Sequence, residues 1–138
     1  MLVNRRTRTV EWGDCDPAGI VFFPRYFAFF DTGTHELFAL AGVPTQELTV
    51  TYGIVGCPLV DVQARFMVPS RFSDELIIES TIREWRSRTF VVQHRVYKGD
   101  TLAVEGAEIR AWVACDADDP ARMRALAIPP EVIARFES

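Results

Sequence analysis

No run of eighteen apolar residues occurs in the sequence, so it offers no candidate for a membrane-spanning helix. The opening residues, Met1-Leu-Val-Asn-Arg-Arg6, lack an apolar stretch followed by a small-residue cleavage site, which argues against a secretory signal. Cysteine is scarce: Cys15, Cys57 and Cys115 are odd in number, widely spaced, and form no Cys-x-x-Cys pair. These absences together predict reduced thiols in the cytoplasm rather than a disulfide framework. Only His35 and His94 could complete a zinc site, so no metal is expected. Positive charge is not in excess either, and a net charge of −4 argues against a general nucleic-acid binder. Internal repeats, low-complexity tracts and linker-like runs are missing. The 138 residues therefore read as one domain, 1–138. With 49% hydrophobic and 25% charged residues, the chain can bury a core without staples.

A short strand is predicted over Arg6 to Trp12, with Arg8, Val10 and Trp12 on one face. Gly13 to Gly19 follows as loop, by its Gly, Asp and Pro content. Pro24 suits a first helical position, while Gly42 and Pro44 mark a stop. Between them Phe27, Phe30, Thr34, Leu37 and Ala41 recur at steps of three and four, and Phe23, Tyr26, Phe29 and Phe38 widen that stripe. A helix so apolar is buried. At 1.5 Å per residue it would run roughly 27 Å, the width of a small domain.

The second half reads as strands. Val60 to Val68 alternates in period two, Leu76 to Trp85 and Thr89 to Tyr97 flank the turn Arg86-Ser87-Arg88, and Thr101 to Ala114 follows the turn Lys98-Gly99-Asp100. In that last strand Leu102 and Val104 share one parity and Ala107, Ile109, Ala111 and Val113 the other, so a β-bulge is predicted at Gly106. A short helix is predicted within Ile128 to Phe136. One long helix covered by one antiparallel sheet is an α+β architecture. Its exposed sheet edge and half-covered core predict pairing with a second copy.

The run Glu11-Trp-Gly-Asp-Cys-Asp-Pro-Ala-Gly-Ile-Val21 and its continuation Phe22-Phe-Pro-Arg-Tyr26 resemble the hydroxybenzoyl-CoA thioesterase family. So do Gly53-Ile-Val-Gly-Cys-Pro58 and Glu84-Trp-Arg-Ser-Arg-Thr-Phe90, and the likeness covers nearly the whole chain. The resemblance implies a hotdog fold, a long central helix wrapped by a curved sheet of about five strands. It also implies hydrolysis of an acyl-CoA or aroyl-CoA, no cofactor or metal, and a homodimer or a homotetramer built as a dimer of dimers. The family's catalytic carboxylate falls on Asp16, and its carbonyl-polarising backbone N–H falls on Phe23.

Those positions make chemical sense. Thioester hydrolysis needs a nucleophile or base on one side of the carbonyl and a donor for the oxyanion on the other. The first N–H groups of a helix lack intrahelical partners and sit at the positive end of its dipole. Pro24 has no N–H, so Phe23 or a neighbour before it must donate. Two routes stay open at Asp16: direct attack to form an anhydride, or deprotonation of water. Read without the resemblance, Asp16 is a turn aspartate, Asp14 with Asp16 a weak metal pair, and Cys15 a thiol without a neighbouring base.

For substrate binding, Arg86 and Arg88 on the hairpin turn, with Trp85 before them and Arg124 near the C-terminus, are the candidates for the coenzyme A phosphates. Cys57 and Pro58 are the candidates for the acyl end, and Asp31 on the helix either lines that pocket or bridges to another subunit. Relatives often carry a hydroxyl residue where Cys57 stands, and a thiol is the weaker donor. Discrimination for a ring hydroxyl is therefore expected to be blunted, and benzoyl or short aliphatic acyl groups also fit. Two other readings share this fold: a hydratase or dehydratase built on His35 or His94 with an acid, and a non-catalytic acyl-CoA binding module.

Overall fold

The structure, a computed structural model, describes residues 1–137. Strand β1 (Val3–Thr9) leads through a single 3-10 turn at Trp12–Asp14 to the long helix α1 (Pro24–Leu40). Then come α2 (Thr45–Tyr52), β2 (Leu59–Phe66), β3 (Glu75–Trp85), β4 (Thr89–Lys98), β5 (Thr101–Ala111), β6 (Val113–Cys115), β7 (Met123–Ala125) and α3 (Pro130–Ala134). Five strands form one antiparallel sheet in the order β1-β3-β4-β5-β2, and β6 and β7 form a small ribbon beside it. This is the α+β hotdog arrangement, with α1 lying on the sheet.

Helix α1 begins at Pro24 and ends in a Schellman motif: Val43 N–H donates to Phe38 O and Gly42 N–H to Ala39 O, with Gly42 at φ +82°. Its buried face packs into two apolar clusters. One groups Tyr26, Phe29 and Phe30 with Leu76, Ile78, Val96 and Val104. The other groups Leu37 and Phe38 with Ile82, Phe90, Val92, Trp112, Val132 and Phe136. Buried Ser80, His94 and Glu108 lie in the sheet between these clusters. No described helix is long and apolar enough to cross a membrane.

Three expectations are corrected. The first strand ends at Thr9, and Trp12 stands 77% exposed in the 3-10 turn. Helix α2 was not anticipated, because only Leu48 of its eight residues is buried and its apolar residues mark no face. The pairing of β5 keeps its register through Gly106; the extra residue of β5 is instead Ala103, where the partners step from Val96–Val104 to Tyr97–Leu102, and β2 and β3 carry shifts of their own at Leu59/Asp61 and Ile82/Glu84. Gly106 is needed for close approach: a Cβ there would strike the Phe30 ring and lie 2.7 Å from Gln63 O. The inward parity of β5 is consequently Val104, Gly106, Glu108 and Arg110, all buried. Ala107 and Ile109 face the other way.

Candidate active site

The segment before α1 doubles back on itself. Phe22 N–H donates to Asp14 O, Cys15 pairs with Val21, and Asp16 N–H donates to Ile20 O, three rungs that fasten the loop beside the helix start. Gly19 closes it at φ +81°. Within it the two aspartates differ. Asp14 is buried and accepts Arg8 Nη2 at 2.8 and 3.0 Å as well as Glu11 N–H, so it anchors the loop and is not free to share a cation with Asp16. Among the described residues no group of three His, Cys, Asp or Glu could hold a metal. Asp16 is half-buried; its Oδ1 accepts Ala18 N–H at 2.9 Å, the turn geometry typical of Asp-Pro, and Oδ2 has no described partner.

The first turn of α1 supplies the complementary group. Phe22 N–H is used by Asp14 O and Pro24 has none, while Phe23 N–H has no acceptor among the described residues. Beside it opens an apolar cavity of about 340 Å³ lined by Ile20, Val21, Phe23, Tyr26, Phe66 and Met67 among others. Phe23 and Tyr26 both meet Phe66 there, with ring centroids 6.5 and 5.7 Å apart. A carboxylate, an unused donor at a helix start and an apolar cavity thus share one end of α1.

Asp31 and Cys57 belong to a second constellation, further along α1. Asp31 Oδ1 accepts Arg110 Nη2 at 2.7 Å, and its Oδ2 lies 3.5 Å from His35 Nε2. Cys57 O accepts Arg110 Nη1 at 3.0 Å, and burial pushes the Cys57 thiol up to about 12, beyond any use as a thiolate. Pro58, exposed, accepts Ala111 N–H and so ties this loop to β5. His35, Thr45, Cys57 and Arg110 line a cavity of about 250 Å³. The acid that His94 finds is Glu108, at 2.9 Å, but both side chains are fully buried and Phe30 stacks on the imidazole at 4.6 Å. Neither of the two cavities just described includes that pair among its lining residues.

The third group lies at the β3–β4 turn. Arg86 Nη2 meets Glu84 at 2.9 Å, and Arg88 is exposed while its carbonyl accepts Trp112 N–H. Ile128 N–H donates to Ser87 O, which ties the chain after β7 to the turn. Arg124 itself is exposed, 3.7 Å from Asp116. Trp85 turns inward against Phe90 and Phe136.

Comparison with known proteins shows the family. Residues 10–136 match the family model described as the thioesterase-like superfamily. The chain belongs to the thioesterase-like superfamily. One relative within reach is 4-hydroxybenzoyl-CoA thioesterase of Pseudomonas sp. strain CBS-3, 39% identical over 130 residues and 90% of each chain. An acyl-CoA thioester hydrolase of Escherichia coli is 25% identical over 93% of this chain and 91% of its own. Among solved structures, an Asp-to-Asn variant of 4-hydroxybenzoyl-CoA thioesterase complexed with 4-hydroxybenzoyl-CoA superposes with a TM-score of 0.90 at 33% identity, covering 99% of this chain and 100% of that one. A gentisyl-coenzyme A thioesterase superposes at 0.81 and 31% identity, covering 98% and 100%.

Sequence reasoning on this thioesterase-like chain missed two buried charged side chains, Glu108 and Arg110, the second of which lines the 250 Å³ cavity. Their signal was present: two opposite charges at i and i+2, interleaved with apolar Ala107, Ile109 and Ala111. Binary patterning turns charge outward, whereas here the pair faces α1 and neutralises itself.

Proposed function

We propose that the chain hydrolyses an aryl-CoA thioester of the 4-hydroxybenzoyl-CoA type, or a short acyl-CoA, to the free acid and coenzyme A, with Asp16 and the Phe23 N–H as the reacting groups and no metal or cofactor. The observation that carries this reading is the unused Phe23 N–H at the start of α1, beside an apolar cavity and the tethered Asp16 loop. The thioester carbonyl accepts from that N–H, which strengthens as negative charge grows on oxygen. Asp16 either adds to the carbonyl carbon, expelling the CoA thiolate and leaving an anhydride that water cleaves, or removes a proton from the water that attacks. Both routes end in acid and thiol.

Asp31, Cys57 and Pro58 serve the acyl end and Arg86, Arg88 and Arg124 the nucleotide end in this reading, while the inward-turned Trp85 anchors the base of their turn in the core. Strand β2 supports a homodimer, or a homotetramer built as a dimer of dimers. It is a sheet edge with Leu59, Val60 and Phe66 exposed, and such an edge invites a second copy. Antiparallel self-pairing of β2 sets the Phe66 end of one protomer against the Leu59 end of the other. The cavity at Phe23 would then adjoin the partner's loop before β2, joining reacting and acyl-recognition groups in one site. Three free cysteines support a cytoplasmic setting.

The test is release of free coenzyme A from a panel of aroyl- and acyl-CoA thioesters, wild type beside Asp16→Asn. The expected result is preference for aryl esters and a loss of roughly a hundredfold or more in the variant, the scale of removing one reacting group. Turnover of aliphatic esters alone, with the same loss, would keep Asp16 and discard the aryl preference. Tight binding without turnover would make the chain a binding module.

A further inference from the structure

A polar row crosses the sheet beneath α1 and takes no part in the chemistry above. Ser80 Oγ meets His94 Nδ1 at 2.7 Å, and His94 Nε2 meets Glu108 Oε1 at 2.9 Å, an oxygen that also accepts the Thr34 hydroxyl. Arg110 continues the row, with Nε on Glu108 Oε1 at 3.1 Å and Nη2 on Oε2 at 2.7 Å. Ser80, His94 and Glu108 are wholly buried and Arg110 is 5% exposed. Such a row is not needed for stability, because apolar side chains of similar volume hold a core as well as a buried ion pair. The fold nonetheless makes room for it with two glycines. A Cβ on Gly33 would collide with Ser80 Oγ, and one on Gly106 would collide with the Phe30 ring that stacks on His94.

The outer end of the row shows its direction. Every nitrogen of Arg110 is engaged, two of them on Glu108, so the planar guanidinium cannot turn. Its outward donors reach Cys57 O at 3.0 Å and Asp31 Oδ1 at 2.7 Å, two acceptors on different elements. Cys57 and Arg110 line the 250 Å³ cavity, and Asp31 stands between Arg110 and His35, another lining residue. We propose that Arg110, clamped by Glu108, is a positioning residue: it holds the Asp31 carboxylate and the Cys57 loop in one geometry, and so sets discrimination between acyl groups that carry a terminal hydrogen-bond donor and those that do not. The inference rests on the thioesterase reading and names the machinery behind its acyl end. It also alters the expectation at Cys57: the weak thiol is not the recognising group, because the loop presents a fixed backbone carbonyl.

The experiment compares kcat/KM for 4-hydroxybenzoyl-CoA and benzoyl-CoA in wild type, the double variant Glu108→Met/Arg110→Met, Asp31→Asn, and the triple combination. Replacing both charges leaves neither unpaired, so the double variant is expected to fold, checked by its melting temperature. The ratio between the two esters should fall about tenfold or more in the double variant, mostly through KM of the hydroxylated ester, and similarly in Asp31→Asn. The triple variant should lose no more than the double, because residues acting through one another are not additive. Arg110→Lys, which keeps the charge beside Glu108 but not the fork, should lose the ratio as well. A folded double or Arg110→Lys variant with the wild-type ratio overturns the proposal, as does a triple variant whose losses multiply. A wild type indifferent to the hydroxyl overturns it while leaving the hydrolase standing. A wild type inactive on every thioester sinks both.

Discussion

Asp16 and Glu108 are both carboxylates set against the same helix, and their surroundings could hardly differ more. Asp16 sits half-exposed before α1 with one backbone N–H for company and one oxygen unclaimed. Glu108 sits under the middle of α1, wholly buried, accepting from Thr34, His94 and Arg110. Burial alone would raise the Glu108 carboxyl, but the contacts with His94 and Arg110 overcome it and hold the group at about 2. A carboxylate wholly buried among four donors cannot meet a substrate and can only organise its neighbours. A carboxylate left with spare capacity beside an unused donor can do chemistry. On the proposed reading, reactivity belongs to the end of the helix and rigidity to the part of the sheet beneath its centre.

The sharpest way to break the contrast is to remove one partner of the buried pair. Arg110→Ala strands Glu108 as an uncompensated buried charge and should cost about 3–5 kcal/mol. In a chain of this size that is a fall of roughly 10–20 °C in a thermal melt. Asp16→Asn should leave the same melt within about 2 °C, since a surface change away from any buried network stays within about 0.5 kcal/mol. A large stability loss at Asp16, or none at Arg110, would dissolve the distinction between reacting and organising carboxylates.

Acid separates them by a second route. The folded-state value of Glu108 lies below its unfolded value, so its contribution is complete above about pH 4.3 and is lost as pH falls toward 2. The contribution at stake is roughly 3 kcal/mol. Urea unfolding between pH 6 and 2.5, wild type against Glu108→Gln, should show a stability gap that narrows steadily below about pH 4.5. A gap that stays constant through that window would mean Glu108 is not the ionised hub of the row.

How far these two regions could be read in advance follows from what each asks of the sequence. The Asp16 loop is local: Gly, Asp and Pro within seven residues, then Pro24 and a helical apolar period, are all signals carried by neighbours along the chain. Long strands and α1 were legible for the same reason. The buried row is non-local, built from Ser80, His94, Glu108 and Arg110 on three strands plus Thr34 on α1, and its members look like outward-facing polar residues until the register is known. Reading Ala107 and Ile109 as the core parity of β5 turned Glu108 and Arg110 outward and made Gly106 a bulge. Helix α2 escaped because one buried leucine gives no period to detect.

Gly106 offers a milder perturbation that strains the row without removing a charge. Gly106→Ala places a methyl against the Phe30 ring and the Gln63 carbonyl, so Phe30 must leave its stack on His94. The expected cost is about 1–3 kcal/mol, the range for overpacking a core, with part of the substrate discrimination assigned to Arg110 lost alongside it. Measured by chemical denaturation, a neutral or stabilising outcome would mean that the sheet yields there and that the glycine is incidental.

The smallest effect is expected at the exposed turn, where the comparison runs between buried and solvated arginines. Arg110 is locked by four hydrogen bonds, whereas Arg86 meets only the exposed Glu84 and Arg88 lies open to solvent. Losing solvated charges leaves the fold alone, because exposed pairs contribute little. Phosphate recognition by such arginines is electrostatic and screened by salt. Arg86→Gln/Arg88→Gln should therefore melt like wild type, raise KM for CoA thioesters a few-fold, and change kcat little. Wild-type KM should climb with ionic strength, and that climb should flatten in the variant. A pantetheine thioester of the same acyl group, which lacks the nucleotide phosphates, provides the control. If the variant still loses on the shorter thioester, the turn shapes the pocket rather than holding phosphate; if the loss vanishes, the arginines act on the nucleotide alone.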